Sequence, residues 1–486
     1  VDANKETPQN PQLSRTNFIW LFALLAIAAI VRLPGIERPL TGNFATKNVV
    51  YAMIARNWAE GRAGLLEPTL DCFVGGQRSL HLLELPVSAY LSGLVWKCLG
   101  GSLDVWGRLT SLGFSLGSVA LLYLLAARWH GPLVAAVAGL LLALSPVSIL
   151  YGRSFMLESS LVFFMVATLW AWQHWLDSGR WAWLAMAAVG LALACLTKIY
   201  VLFVLAPVVA MAWRTRPWKA AVGALALAAA IMPAGAWYWH AAAAAGPGSP
   251  VANRVYYSVR STVDVHRPPH PLLGSMAFYR RIAGDLLGPV LTPLGFALLV
   301  VGLANPAWSR HAAWLAGSVL LIVLLPRKFY EMNYYWLAVL PLLAIFAGLG
   351  WQLAQERFRP GRSAVAGWLV LAVLLAGRFT AGPLLKTAQE DRGVVAAGLA
   401  VQRLTRPDEP VVTMHGTTID LLYYCRRPGW AIEPGDSETL LRCCRQGARV
   451  LAMAGEEPLA EAHWPGIDSQ RLAQGPGFAV YRIARR

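Results

Sequence analysis

The sequence predicts a polytopic α-helical membrane protein of about 11 transmembrane helices, followed by a small C-terminal α/β domain. Three observations carry this reading. Hydrophobic residues make up 57% of the chain and charged residues 14%, well below the roughly one quarter usual in soluble domains. Apolar runs of about 20 residues, the length that crosses a bilayer, recur from Asn17 to Pro383. Past Pro383 the pattern changes to strand-length apolar runs (PVVTM, ARVLAMA, FAVYRI) separated by helical stretches.

Taken in order, the spans are expected at about 17–34, 105–127, 131–150, 159–175, 181–197, 199–213, 219–238, 287–304, 311–326, 333–350 and 364–383. The first run, Asn17 to Leu33, lacks a small-residue cleavage site, so an uncleaved span is expected there. Leu82–Leu99 is also apolar, but Glu84, Pro86, Ser88 and Ser92 lie on it and Lys97 ends it. It is expected to lie along the interface without crossing. Arg128, Arg180, Arg214, Arg216, Lys219, Arg310, Arg357, Arg359 and Arg362 then share one side, which the positive-inside rule makes cytoplasmic. The chain thus divides into a membrane unit, 1–386, with a large first external loop at 34–104, and an extracytoplasmic domain at 387–486. A multi-pass protein of a cell's inner membrane, with a cytoplasmic N-terminus and an external C-terminal domain, is the expected setting.

The net charge of +16 belongs to this topology. The basic residues form no patch interleaved with aromatics, so nucleic acid is not expected as a partner. The six cysteines show no metal-ligand spacing and there is no Asp-x-Asp pair, so no metal or cofactor is expected. In an oxidising compartment Cys425 can pair with Cys443 or Cys444.

Chemistry is expected on the external face, where acids and bases meet apolar helices. Glu84 sits in LHLLELPV, apolar on both sides, where an unpaired carboxylate is expensive. Asp71 and Glu158 are the other candidate carboxylates. Glu158 follows Arg153 by five residues in YGRSFMLESS, and it can equally be a first-turn acid favoured by the helix dipole. Lys198 ends a span, where it can snorkel or hold phosphate. Arg327, Lys328, Tyr334 and Tyr335 open another, as an aromatic belt or as a clamp for a lipid phosphate. Arg78 follows Gly75-Gly76, which would let backbone approach a ligand. An external loop near 241–286 carries Arg254, Arg260, Arg267, Arg280 and Arg281 and no lysine, a composition suited to phosphate or to anionic headgroups.

Several segments also resemble the GT-C superfamily of membrane glycosyltransferases, in particular the family 39 group of protein mannosyltransferases and the aminoarabinose transferase of lipid A. The resemblance covers roughly 17–350 and rests on AMIARN, LEPTLD followed by ELPVSAYLSGL, GRLTSLGFSL, GRSFMLESSLVFF, LTKIY and NYYWLAVLPLL, in that order. It implies transfer of a sugar from a polyprenyl-phosphate donor to a lipid, glycan or protein acceptor on the outer face, with inversion. The family commonly carries an Asp-Glu pair before the helix that here reads YAMIARN, yet Lys47-Asn48 stands there and no acid occurs from Pro39 to Ala59. One subgroup's acid before a proline resembles Glu84-Leu85-Pro86, which makes Glu84 the first candidate for the base. A binding protein or a transporter on the same fold is the rival reading; no internal repeat of the kind transporters show is present.

Overall fold

The computed structural model describes residues 15–42, 44–213, 217–245, 249–251, 270–359, 361–385, 389–416, 418–455 and 464–486. The 386/387 boundary and Arg214, Arg216, Arg254, Arg260 and Arg267 lie outside the described residues.

Helices α1 (Arg15–Ile30), α2 (Ala45–Ala59), α3 (Val87–Leu99), α4 (Leu103–His130), α5 (Pro132–Leu144), α6 (Pro146–Tyr151), α7 (Glu158–Ser178), α8 (Trp181–Thr197), α9 (Leu205–Trp213) and α10 (Pro217–Ala244) form the first part of the bundle. The second part holds α11 (Met276–Asp285), α12 (Thr292–Leu303), α13 (Ala312–Leu324), α14 (Pro326–Glu331), α15 (Trp336–Phe358) and α16 (Arg362–Leu385). Among the described residues five helices are long and apolar enough to cross a membrane, or six if the pair Met276–Val290 and Thr292–Leu303, bent by 110°, is one span. The expected count of eleven is therefore not reached on length and composition. Prolines account for part of this shortfall. Pro146 has no N–H to continue α5, so the helix breaks at Ser145 and restarts as α6. Fully buried Arg32 takes up carbonyls at that break, donating to Ala143 O at 2.8 Å and Leu142 O at 3.4 Å, and it also donates to the Ser148 hydroxyl at 2.8 Å.

The 13 residues of α3 span about 20 Å, against about 30 Å of hydrocarbon, so this helix is too short to cross. Its Ala89 and Gly93 side faces α2, where a Cβ on Gly93 would meet the Ala55 carbonyl oxygen at 2.6 Å. Leu91, Leu94 and Leu99 are exposed on the other side, as an interfacial helix requires.

The C-terminal region contributes α17 (Gln389–Leu404), α18 (Asp420–Cys425) and α19 (Ser437–Arg445). Its strands join those of the first loop in one seven-stranded sheet. The strands are β1 (Thr69–Val74), β2 (Gln77–Leu80), β3 (Val411–Met414), β4 (Gly429–Ile432), β5 (Val450–Ala454), β6 (Ile467–Gly475) and β7 (Phe478–Arg485), in the order β2-β1-β4-β3-β5-β7-β6. Parallel pairing of β4, β3 and β5 forms the centre, and β1 meets β4 in parallel at Cys72 and Gly429. Gly75 and Gly76, both at positive φ, make the tight turn between β1 and β2 and leave open space around them. Their positive φ values serve the hairpin. Three further bonds fasten the sheet to the bundle: Tyr423 and Tyr424 donate to the two oxygens of Asp104 at 2.5 and 2.8 Å, and Leu40 N donates to Tyr424 Oη at 2.6 Å. Among the described residues no disulfide forms: Cys425 packs in one core of this region, and Cys443 and Cys444 pack in the other.

The centre of the bundle is α15, whose residues from Trp336 to Gly350 are all buried. It meets α12 where Gly302 and Gly350 bring the two backbones together: an added Cβ would strike the carbonyl of Phe346 or of Leu298. Gly350→Ala is expected to cost ~1–3 kcal/mol through overpacking, lowering the thermal midpoint of the purified protein by several degrees. Gly367→Ala, on a helix surface with nothing near the new methyl, serves as the control. Equal midpoints for both variants would contradict this packing.

Candidate active site

Five segments come together around buried charges at one end of the bundle. Lys47 and Tyr51 lie four residues apart on α2 and so share one face. Glu84 follows β2 in a segment tied down by Leu85 N, which donates to Leu196 O at 3.0 Å. That bond sets Glu84 beside the end of α8, where Lys198 takes an extended backbone and donates to Glu84 Oε1 at 2.7 Å. Tyr51 Oη donates to the same oxygen. Glu158 opens α7 and is completely buried; its Oε1 accepts from Lys47 Nζ at 2.6 Å, while its Oε2 has no hydrogen-bond partner. Lys47 also stands 3.9 Å above the Tyr334 ring.

Tyrosines wall this charged cluster. Tyr334 and Tyr335 stack with centroids 5.0 Å apart, and Tyr335 in turn meets Tyr200 at 5.1 Å. Tyr151 donates to Asn333 Oδ1 at 2.6 Å, and Phe44 packs edge-on against both Tyr151 and Tyr334. The walls are apolar with polar tips, so the charges inside are only weakly screened.

Burial alone would push the Glu84 carboxyl up, but Lys198, His81 and Lys47 outweigh it and hold it at about 2. His81 is lowered by burial to about 4 and stays neutral near pH 7. Burial also lowers Lys328, which feels Glu331, Arg327 and then Lys198 and Lys47 of the cluster.

The candidate residues separate into two groups. Glu84, Glu158, Lys198, Tyr334 and Tyr335 come together, and Lys328 borders them. Asp71 does not join: it faces Arg56 at 2.6 Å and Arg78 at 3.5 Å, and Arg56 continues to the Tyr423 carbonyl at 3.0 Å. Asp71 and Arg78 thus link the first loop to the sheet. Arg153 is also elsewhere, donating at 2.5 Å to the carbonyls of Pro34 and Gly35, because the turn before Glu158 directs the two side chains apart. Arg327 is spent on Glu331, one turn along its own short helix, at 2.7 Å and partly in solvent. Arg281 pairs in the same way with Asp285 at 3.4 Å. Sequence reasoning missed Lys47 and Tyr51 as members of the site; the signal was the lysine standing where an acid was expected.

Residues 97–245 match the family model described as dolichyl-phosphate-mannose-protein mannosyltransferase. The chain has the GT-C fold. Its similarity to the crystal structure of ArnT from Cupriavidus metallidurans in the apo state covers 96% of this chain and 97% of that one, with 16% identity and a TM-score of 0.64. ArnT bound to undecaprenyl phosphate gives 15% identity, a TM-score of 0.60 and coverage of 96% and 98%. The archaeal oligosaccharyltransferase AglB from Archaeoglobus fulgidus, in complex with an inhibitory peptide and a dolichol-phosphate, gives 13% identity, a TM-score of 0.57 and coverage of 90% and 69%. No curated protein matches the sequence. The resemblance to GT-C family 39 read from the segments is borne out by the family model and by this fold.

Because the folded carboxyl of Glu84 is depressed, its contribution to stability is complete above the ordinary 4.5 and is lost as the pH falls toward about 2. The gap in thermal midpoint between the native chain and Glu84→Gln is expected to be constant above pH 4.5 and to shrink below it. A gap that widens on acidification would contradict the ion pair.

Proposed function

We propose that this chain is a glycosyltransferase that moves a sugar from a polyprenyl-phosphate donor to an acceptor at the Glu84–Lys198 cluster. The observation that carries the reading is the pair of buried ammonium–carboxylate contacts, Lys198–Glu84 and Lys47–Glu158, set among tyrosines at the ends of apolar helices. Transfer from a phosphate carrier requires cations for the departing phosphate, a carboxylate for the acceptor's proton and an apolar path for the tail. Lys198, Lys47 and Lys328 supply the first and Glu84 the second. A cavity of about 500 Å³ between α1, α5, α12 and α16 suits the third; it reaches Ser145, at the break before the helix that carries Tyr151.

In this reading the acceptor oxygen attacks the anomeric carbon from the face opposite the phosphate, and the carbon–oxygen bond to phosphate breaks. The proton of the acceptor passes to Glu84, and the negative charge of the freed carrier phosphate settles among the lysines. A carboxyl held at about 2 is a weak base in the free protein. A donor phosphate arriving at Lys198 draws the ammonium's charge to itself and raises the proton affinity of Glu84 when it is needed. Glu158 keeps Lys47 in place. The external face of an inner membrane is the setting for this reaction. Lys47 at the position of the family's acid favours a second reading, a protein that binds lipid-linked sugar without transfer.

A panel of polyprenyl-phosphate sugars tested with purified protein separates the two readings. Glu84→Gln keeps shape and removes the base, so turnover is expected to fall by ~10²–10⁴ with donor binding retained. Lys198→Ala is expected to weaken donor binding by roughly tenfold or more. Donor binding without turnover for any acceptor in the native chain would favour the binding protein. Full turnover in Glu84→Gln would remove Glu84 from the mechanism.

A further inference from the structure

Helix α17 takes no part in the proposed transfer, and its place in the fold leaves one face uncovered. The central strands present alternate residues to opposite sides of the sheet. Val411, Val450 and Ala452 turn to one core, which they share with Val394, Ala397 and Val401 of α17, with Val49 to Ala55 of α2 and with Leu103 of α4. Val412, Leu451 and Met453 turn to the other core, where Leu440 and Cys443 of α19 cover them. Helix α17 thus lies in the layer between the sheet and the membrane unit, and its side away from the sheet looks toward the bilayer.

Both ends of α17 are held close to the ends of spans. Gln389 follows Leu385, the last residue of α16, by four positions, which limits the gap to about 14 Å. At the other end Gln402 Nε2 donates to the Tyr424 carbonyl at 2.6 Å, and Tyr424 Oη donates to Asp104 in the first turn of α4 at 2.8 Å. These two spans reach the same end of the bundle. Ala376, late in α16, packs with Ile149 of α6, and Ser111, early in α4, donates to the Met156 carbonyl at 3.4 Å. Helix α4 is about 42 Å long against about 30 Å of hydrocarbon, so Asp104 stands at headgroup depth. A helix of about 24 Å with both ends at that depth runs along the membrane surface.

The residues on its outer face fit that position. Arg392, Leu399 and Arg403, spaced by seven and four, form one exposed stripe, and exposed Arg406 follows the last turn. Leu399 is 48% exposed. Among the described residues these three arginine side chains have no hydrogen bond or ion pair, and no carboxylate occurs among the described side chains of α17. Arg403 and Arg406 also line a depression with Arg449 and Arg482, whose lining carboxylate, Glu409, is taken by Arg482 at 2.7 Å. Arginines gathered in this way repel one another until an anion lies among them. A leucine between arginines at headgroup depth enters the acyl boundary while the guanidinium forks take phosphodiesters.

We propose that α17 is a membrane-surface helix, with Leu399 seated in the acyl boundary and Arg392, Arg403 and Arg406 on anionic phospholipid headgroups of the adjoining leaflet. The seat steadies the sheet that carries the first loop. It does not depend on the glycosyltransferase reading.

The test places the full chain in nanodiscs of phosphatidylcholine, with or without phosphatidylglycerol. A spin label is attached at Leu399→Cys, after Cys98→Ser and Cys444→Ser remove the two cysteines that are not buried. A second chain carries the label at Glu438→Cys, exposed on α19 across the sheet. Collision with a water-soluble nickel chelate reads exposure. With phosphatidylglycerol present, the label at 399 is expected to be several-fold less accessible than the label at 438, and to become more accessible in phosphatidylcholine alone. Each arginine near an anionic surface adds roughly fivefold to the preference for it. Replacing Arg392, Arg403 and Arg406 together by Ala is expected to abolish the difference between the two lipids, and replacing them by Lys to retain it. Equal accessibility at 399 and 438 in the anionic discs would overturn the seat. Shielding that is the same in both lipids, or that survives the triple Ala replacement unchanged, would overturn the assignment to anionic headgroups.

Discussion

A lysine and a glutamate buried against each other at the mouth of an apolar bundle impose the main constraint on this structure. Neither Lys198 nor Glu84 can be removed alone without leaving a charge in a weakly polar interior, a change that typically costs 3–5 kcal/mol. The pair as a whole adds little stability over a well-packed apolar substitute. Its presence is better explained by what each partner does when a third charged group enters. Lys47 and Glu158 repeat the arrangement beside it, so the cluster is neutral when empty and has two ammonium groups to offer a phosphate.

Much of the surrounding fold holds these four groups in place. The extended backbone at Lys198 turns its side chain out of α8 toward Glu84, and the bond from Leu85 N to Leu196 O keeps the glutamate segment there. Packing of α2 against α3, close enough to require glycine at 93, sets Lys47 and Tyr51. The seven-stranded sheet reaches from the C-terminal region into the first loop, and Arg56, Asp71, Asp104, Tyr423 and Tyr424 fasten the two parts together. The C-terminal region therefore supports the loop that presents the site.

The sequence made the long spans plain because hydropathy over a full window survives any local detail: Leu103–His130 and Asn333–Phe358 are the clearest. It could not reveal which apolar runs are broken, since the breaks at Ser145 and around Leu291 depend on single prolines and on partners such as Arg32. Glu84 was legible as a costly carboxylate in apolar surroundings. Asp71 and Arg153 were misplaced because residue type shows that a charge needs a partner but not which way it points. Lys47 stood out only as a departure from the family's acids, because a cation in a first turn is usually solvated; the residue it meets, 111 positions later, gives it a role. The sheet that joins Cys72 to Gly429 is a long-range pairing that local pattern does not encode.

The most direct test is a structure of the full chain in lipid with its polyprenyl-phosphate carrier bound. The carrier's phosphorus is expected within about 4 Å of the Lys198 ammonium, the separation of a charge-assisted contact, with Lys47 or Lys328 as the second cation. Its tail would run between the helices toward Ser145. A carrier bound elsewhere, with the 2.7 Å contact between Lys198 and Glu84 undisturbed, would contradict the account.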